Sequence, residues 1–559
     1  MKRKGTIFVA LGTAVLLIVI GVLAYKYFAP SNVKREMAKQ YHLEKDQALI
    51  VINNKVLAET GVLRNGQYYL PMQVVSEQMN HRLFFDTYEQ KLSYVTPNEV
   101  IQVPINSKVY QSGKATKEVK YNIIIQEGNQ IYIALPFVEM YSAIEVNQYK
   151  NPERVVAKTD FKTDYSFATL SEKARLRVGP NKKYDYLIEV PKDKKVMVDS
   201  SAKVDNGYQK VMTEDGIAGY LPTDSFQKVV KEKWVTKKTE PVFEQASTDK
   251  TICLGWNQAT SQAANGYLGS MIANAKGINV VSPTWFALSD NKGNFTSLAN
   301  TNYVTQAHKA GLKVWGLIND FNKNVDMPKL LTITTTRQQL VNNLVAAAIQ
   351  NNLDGINIDF ERIRTESGKG FLEFLRELSV KCKSNQLILS VDNYSPANFN
   401  QHYGYEEQGK VVDYVVLMGY DEHYVGSESG SVSSISFIEN GLDRLLKMVP
   451  SDRVVVGLPF FTRLWKEKGG QTSSAVYGMD GAESVVKQNN VMAKWDEPTK
   501  QYFATWKKAG ATFKIWMEEE KSLEEKLKAV NERDVAGVAF WKLGFERANA
   551  WNVIAKSVQ

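Results

Sequence analysis

One eight-residue run restricts this chain more than any other: Asp354-Gly355-Ile356-Asn357-Ile358-Asp359-Phe360-Glu361. At strand period, Asn357, Asp359 and Glu361 share one face, and Ile356, Ile358 and Phe360 share the other. The run follows a helical pattern (Leu340 to Leu353) and leads into another (Gly370 to Lys383). Its neighbours repeat the same strand-then-helix alternation, which predicts a strand covered on both faces. Ionisable carboxyls on such a strand are expensive unless their pKa shifts or a partner compensates. The cluster therefore points to chemistry.

Seven further strands read in the same way. Ile252 to Trp256, Ile278 to Trp285 and Lys313 to Ile318 precede the acidic run, and Leu387 to Asn393, Val411 to Tyr420, Val454 to Phe460 and Val535 to Phe540 follow it. Eight strands separated by helix-like stretches predict an α/β chain with a (β/α)8 TIM barrel. The Val411 run ends in Met418-Gly419-Tyr420-Asp421-Glu422-His423, placing a phenol and a carboxylate at a strand's C-terminal end, where such barrels carry their active sites. Between the seventh and eighth strands the gap exceeds one helix. The aromatic-rich segment Trp495 to Ser522 falls in that gap.

The acidic run, the Tyr-Asp-Glu-His motif and Trp541 after the last strand together resemble glycoside hydrolase family 18. That family carries Asp-x-x-Asp-x-Asp-x-Glu on the fourth barrel strand; Asp354, Asp359 and Glu361 match it, and Asn357 stands where the second Asp is usual. The resemblance implies that Glu361 is the catalytic acid, with Asp359 and Tyr420 as its catalytic partners. It implies a substrate-binding set of Asp354, Asn357, Met418, Asp421 and Trp541, with Met418 in the pocket wall and Trp541 as the floor under the reacting sugar. An indole there offers its face to the ring's C–H groups and excludes water. The Asn357 departure puts rate and pH optimum in question. The segment Trp495 to Ser522 resembles the small α+β insertion that many family members place between the seventh and eighth strands, with most of its aromatics expected as that insertion's own core. The pattern Asp-Gly-x-Asn-x-Asp-Phe-Glu is closest to a bacterial branch that includes spore-germination N-acetylglucosaminidases.

The implied reaction is hydrolysis of a β-1,4 bond after N-acetylglucosamine, most naturally in peptidoglycan, by a substrate-assisted retaining mechanism. It needs no cofactor. The same chemistry on chitin or another glycan, and a non-catalytic glycan-binding barrel, are the alternatives. No His pair has metal-ligand spacing, so no metal is expected. Cys253 and Cys382 read as two buried thiols rather than a disulfide framework.

At 559 residues the chain requires several domains. Met1-Lys2-Arg3-Lys4 precedes an uncharged apolar stretch, Thr6 to Ala24, which as a helix spans about 28 Å, close to the hydrocarbon thickness of a bilayer. The basic tip favours the cytoplasm, so residues 1–28 are expected to anchor the chain in the cell membrane with everything after Tyr25 outside. No Ala-x-Ala site follows directly, which favours an uncleaved anchor. The net charge of +9 meets no nucleic-acid module; attraction to an anionic cell wall and plain solubility both account for it.

Between anchor and barrel, Gly66-Gln67-Tyr68-Tyr69-Leu70-Pro71 recurs as Asn129-Gln130-Ile131-Tyr132-Ile133-Ala134-Leu135-Pro136, each copy followed by a helix-like stretch and a strand (Leu83-Phe84-Phe85; Ile144-Glu145-Val146). This α+β repeat (45–160) is similar to the N-terminal domain of copper amine oxidases, without a copper ligand set. Ala174 to Pro180 and Gly216 to Pro222 resemble the two ends of a bacterial Src-homology-3-like β-barrel (170–230). Val235 to Thr248 reads as the linker into the catalytic barrel (245–559). The expected partners are a polysaccharide containing N-acetylglucosamine, the cell wall and, through the N-terminal helix, the membrane.

Overall fold

The eight expected strands form one closed parallel ring in a computed structural model that describes residues 2–246 and 251–558. They are β1 (Ile252–Asn257), β2 (Val280–Pro283), β3 (Lys313–Asn319), β4 (Gly355–Asp359), β5 (Ile388–Asn393), β6 (Tyr414–Met418), β7 (Val454–Pro459) and β8 (Gly537–Trp541). Each pairs in parallel with the next; β8 returns to β1, and β2 meets β3 at Val280↔Lys313 and Val281↔Val314. Strand alternation then sorts the side chains into two layers. Val281, Val314, Ile356, Ile358, Val391 and Val415 point out onto the helices, where Leu340, Leu344, Phe371 and Phe374 cover them. Leu254, Trp256, Trp315, Leu317, Val416 and Met418 point in and fill the ring. Each such burial contributes roughly 1.5–3 kcal/mol, so a one-residue slip of β4 would exchange its acids for isoleucines and lose both layers.

The helices follow from period and caps. In Thr365–Ser384, Phe371, Phe374, Leu375, Leu378 and Cys382 recur every three or four residues and are buried, and the Ser367 hydroxyl accepts from the Arg364 amide at the start of the helix. Cys253 and Cys382 are both buried free thiols. The insertion after β7 starts at Phe461, earlier than the expected Trp495. It is a five-stranded sheet in the order 471–478, 461–468, 511–517, 501–508, 494–496, with the helix Met479–Gln488. Its early strands are half exposed and polar, so their apolar signal is weak. Trp506–Phe513 pair across two of its strands, 5.5 Å between ring centroids, on the face whose buried core is Ala504, Ile515 and Met517, whereas Phe503–Trp516 (4.6 Å) pair half-buried on the opposite face.

The chain divides into two units. One contains the barrel from Pro241 onward together with Phe84–Gln102 and Tyr110–Lys117. The second contains the residues before Phe84, with Val103–Val109 and Glu118–Glu240. In it, one seven-stranded sheet joins Gln67–Pro71 to Gln130–Ala134 through Leu70↔Ile133, the equivalent strands of the two repeat copies. Another, from Tyr165 to Glu232, is antiparallel around Leu170, Leu176, Leu187 and Leu221. Lys2–Phe28 is helical, and its stretch Leu11–Phe28, with mean hydropathy 2.0, is long and apolar enough to cross a membrane; a signal sequence has the same character. Residues 235–246 carry no regular structure, and Thr248, the expected end of the linker, lies outside the described residues.

The two repeat copies part company at their third strand. Glu145–Tyr149 stays in the sheet of its own unit, whereas Phe84–Asp86 belongs to the barrel's unit. There it completes a helix. Ile333 precedes Thr334–Gln350 and has no side-chain oxygen to cap it. The buried Asp86 carboxylate accepts from the Thr334 amide (2.6 Å) and hydroxyl (2.8 Å). Arg337, fully buried one turn on, lies over the Phe84 ring and pairs with Glu377 at 2.9 Å. Asp86→Ala leaves buried donors without an acceptor and is expected to cost about 1–3 kcal/mol, read as a lower urea midpoint for barrel unfolding. An unchanged midpoint would show that water replaces the carboxylate.

Candidate active site

The C-terminal ends of the barrel strands surround a cavity of about 380 Å³, and all its ionisable carboxyls come from strand ends. Asp359 ends β4, Glu361 follows it by two residues, Asp392 is near the end of β5, and Asp421 lies just past β6. No lysine, arginine or histidine lines the cavity. Burial disfavours the charged forms, and of the four only Asp421 has a cation beside it, Arg463 at 3.7 Å. Glu361 is raised from the ordinary carboxyl range mainly by desolvation, with Asp320 and Asp421 adding to the shift and a hydrogen bond from the Tyr394 hydroxyl opposing it. Desolvation, then the charges of Asp392 and Glu361, push Asp359 well up. Desolvation raises Asp392 to about 8 against the hydrogen bond from Asn357. Near neutrality the cluster therefore retains protons that ordinary carboxyls would release.

The backbone fixes these groups. Asp320, buried after β3, accepts from the amides of Glu361 (3.0 Å) and Arg362 (2.9 Å), which holds the turn that presents Glu361. Just past β6, a Cβ at Gly419 would stand 2.7 Å from the Gly457 carbonyl oxygen, so only glycine admits the approach that carries Met418 and Tyr420 into the cavity wall. Asp421 takes a left-handed conformation (φ 57°), and its carboxylate faces Arg463 of the insertion at 3.7 Å. Glu422 and His423 turn away: the Glu422 carboxylate accepts from the Ser434 amide (2.7 Å), and a His423 ring nitrogen meets the Ser431 carbonyl (2.8 Å). Trp541, at the end of β8, lines the cavity 6.0 Å from the Trp256 ring.

Residues 253–546 match Glycosyl hydrolases family 18, more than half of the chain. The chain belongs to glycosyl hydrolases family 18. Residues 50–157 match the Copper amine oxidase N-terminal domain. Among curated proteins, the chain is 26% identical over 295 residues to the "Uncharacterized glycosylase YvbX" of Bacillus subtilis, covering 50% of this chain and 85% of that one. It is 22% identical over 266 residues to the "Cortical fragment-lytic enzyme" of Bacillus anthracis, covering 46% and 62% respectively. In fold it is similar to the spore cortex-lytic enzyme SleL of Bacillus cereus, with a TM-score of 0.51 at 18% identity over 55% of this chain and 74% of that chain. A chitinase from Chromobacterium violaceum gives 0.50 at 19%, over 55% and 98%.

Within this family 18 glycosidase, the structure brings six of the eight sequence-selected residues to the cavity: Asp359, Glu361, Met418, Tyr420, Asp421 and Trp541. Asp354 is not among them. It precedes β4, at the opposite end of the strand, where it accepts from the Val314 amide (2.9 Å) and pairs with Lys313 (2.8 Å) and His308 (2.7 Å). It ties strand to helix beneath the barrel, and its place in the substrate-binding set is corrected. Asn357 is also corrected, to a buried position below the cavity. Its side-chain oxygen accepts from Trp256 Nε1 (3.0 Å) and Ser282 Oγ (3.1 Å), and its nitrogen donates to Asp392 (2.8 Å).

Sequence reasoning missed Asp392, Tyr394, Asp320 and Trp256. Asp392-Asn393-Tyr394 close an otherwise apolar strand at its C-terminal end, and the strand-end rule that selected Tyr420 would have selected them too. Asp392 also makes the site's protonation measurable. In the unfolded chain its carboxyl ionises near its ordinary 3.8, but in the native site only near 8. Between those values the native state binds the extra proton, so this contribution to stability is complete at acid pH and is lost as pH rises toward about 8. Asp392→Asn does not titrate. Its stability relative to the parent is expected to improve from pH 5 to pH 8.5 in urea melts, and a relative decline would refute the raised ionisation.

Proposed function

We propose that this glycosidase cleaves β-1,4 bonds following N-acetylglucosamine in peptidoglycan, with its barrel outside a membrane spanned by the N-terminal helix. The observation that carries the chemistry is Glu361, a carboxyl whose ionisation burial pushes up, on the wall of a cleft lined by no cationic side chain, with Tyr420 and Trp541 in the same wall. Such a lining suits a neutral acetamido sugar at the reacting position. The polymer is supported by relatives named as cortical fragment-lytic enzymes.

In this reading Glu361 gives its proton to the glycosidic oxygen as the bond to the anomeric carbon breaks. The substrate's acetamido oxygen attacks that carbon, forming an oxazolinium ion, a departure from the two-carboxylate scheme. Asp359 accepts the acetamido N–H beside Asp392, which stays protonated, and the Tyr420 hydroxyl holds the acetamido oxygen in line. Water then adds to the anomeric carbon and gives its proton to Glu361. The acetamide re-forms, with net retention. The role of Trp541 is to close the floor against bulk water. Met418 and Asp421 complete the wall around the sugar.

Full-length protein in detergent is expected to release new reducing ends at N-acetylglucosamine from purified peptidoglycan, more readily than from chitin oligomers. A preference for chitin would move the substrate, and binding without any turnover would favour a glycan-binding barrel. Glu361→Gln should lower kcat by about 10²–10⁴. The rate should fall on the alkaline side as Glu361 ionises. Tyr394→Phe removes a hydrogen bond that stabilises the carboxylate, so it should move that limb to higher pH. A thiazoline mimic of the oxazolinium should inhibit competitively; a trapped glycosyl ester on an enzyme carboxylate would exclude the mechanism.

The location has its own test. Protease added to intact protoplasts should digest the barrel, and protection until the membrane is lysed would refute the outward orientation.

A further inference from the structure

We propose that Lys542 is a specificity residue that binds a carboxylate on the sugar adjoining the reacting N-acetylglucosamine, so that the cleft prefers carboxylated glycan strands to chitin. This rests on the glycosidase reading of the same site. Lys542 directly follows Trp541, one of the indoles that line the cavity. Its ammonium donates to the side-chain oxygen of Gln258 at 2.8 Å, and Gln258 lines the cavity. The ammonium also lies 4.2 Å from the centre of the Phe545 ring. A neutral amide and an aromatic face thus aim a cation at the cavity's edge.

What is missing is a countercharge. Among the described residues no carboxylate pairs with Lys542, although most other half-buried basic groups of the barrel have one, such as Arg547 with Asp480, Glu483 and Glu520. Partial burial lowers its pKa, and no nearby charge opposes that effect. A half-buried cation without a counterion is unfavourable in the free protein. An ammonium has three donors, and one is engaged by Gln258. An arriving carboxylate would gain a charge-assisted hydrogen bond and remove the imbalance.

The chemistry of the polymers makes this selective. In peptidoglycan, N-acetylglucosamine alternates with a sugar carrying a lactyl ether, so on either side of the reacting residue the neighbour bears either the lactyl carboxylate or a peptide with its own carboxylates. Chitin has neither. No cationic side chain lines the cavity, so a carboxylate finds no partner at the reacting position, and Lys542 at the rim offers it one next door.

The test compares full-length protein with Lys542→Met and Lys542→Arg on four substrates: glycan strands stripped of peptide, the same strands with the lactyl carboxyls amidated, peptide-bearing strands, and chitin oligosaccharides. Lys542→Met is expected to reduce kcat/KM on stripped strands about tenfold more than on amidated strands or chitin. The loss should appear in KM, shrink at high salt, and be largely restored by Lys542→Arg. A greater loss on peptide-bearing than on stripped strands would assign the carboxylate to the peptide and support the same role. Equal loss on neutral and carboxylated substrates would overturn the proposal and make Lys542 a support for Trp541. No loss on any substrate would overturn it as well. Should glycan strands not be cleaved, the polymer reading fails by itself; affinity of Glu361→Gln for stripped against amidated strands, with and without Lys542→Met, still decides Lys542, and no preference refutes it.

Discussion

Desolvation of carboxyls inside a closed barrel is the constraint on which the site depends. Asp359 and Asp392 are buried above Trp256, Trp315, Leu317 and Val416, which fill the ring from below. That packing keeps water from solvating the charges, and without solvation a proton is the least expensive compensation. The closure of β2 onto β3 and of β8 onto β1 is therefore part of what sets the ionisation of these carboxyls. An open sheet would hydrate the same residues and return them toward ordinary carboxyl behaviour.

Asn357 shows how finely the cluster is arranged. At this position the family usually has a carboxyl. Here an amide accepts from Trp256 and Ser282 and donates to Asp392, using oxygen and nitrogen in the only orientation that suits all three. An aspartate could make the third contact only if it or Asp392 carried a proton. The amide therefore lowers the number of titrating groups below the cavity and fixes Asp392 as the acceptor. The departure from the family pattern removes a charge while retaining the connection, which fits a cluster that must share few protons among several acids.

Much of the fold was legible because barrel strands obey a strict period of two. The acidic run, the Met-Gly-Tyr-Asp motif and Trp541 all fell at strand ends, and the ring brought them together. What failed was contact that periodicity does not encode. Asp354 belongs to the family pattern, yet it lies at the strand's other end, bonded to Lys313 and His308. Tyr394 reaches Glu361 from the neighbouring strand, and no spacing along the chain announces that. The insertion began earlier than expected because Phe461–Lys468 and Gln471–Gly478 alternate partly exposed polar residues, a pattern that also reads as loop.

The least legible feature was that the catalytic unit is not contiguous in sequence. Repetition of Gln67–Pro71 in Gln130–Ala134 argues for one self-contained module, and the two strands do pair within one sheet. Yet the next strand of the first copy, Phe84–Asp86, supplies the cap that Thr334–Gln350 lacks, and its Phe84 covers Arg337. That helix precedes β4 and packs against it through Leu340 and Leu344. Arg337 in turn pairs with Glu377 of the helix that follows β4. The acidic strand is thus braced on both sides by helices whose buried ion pair is covered by residues encoded some 250 positions earlier. A barrel cut at its apparent start would keep every carboxyl of the cavity and lose part of the support that orients the acidic strand.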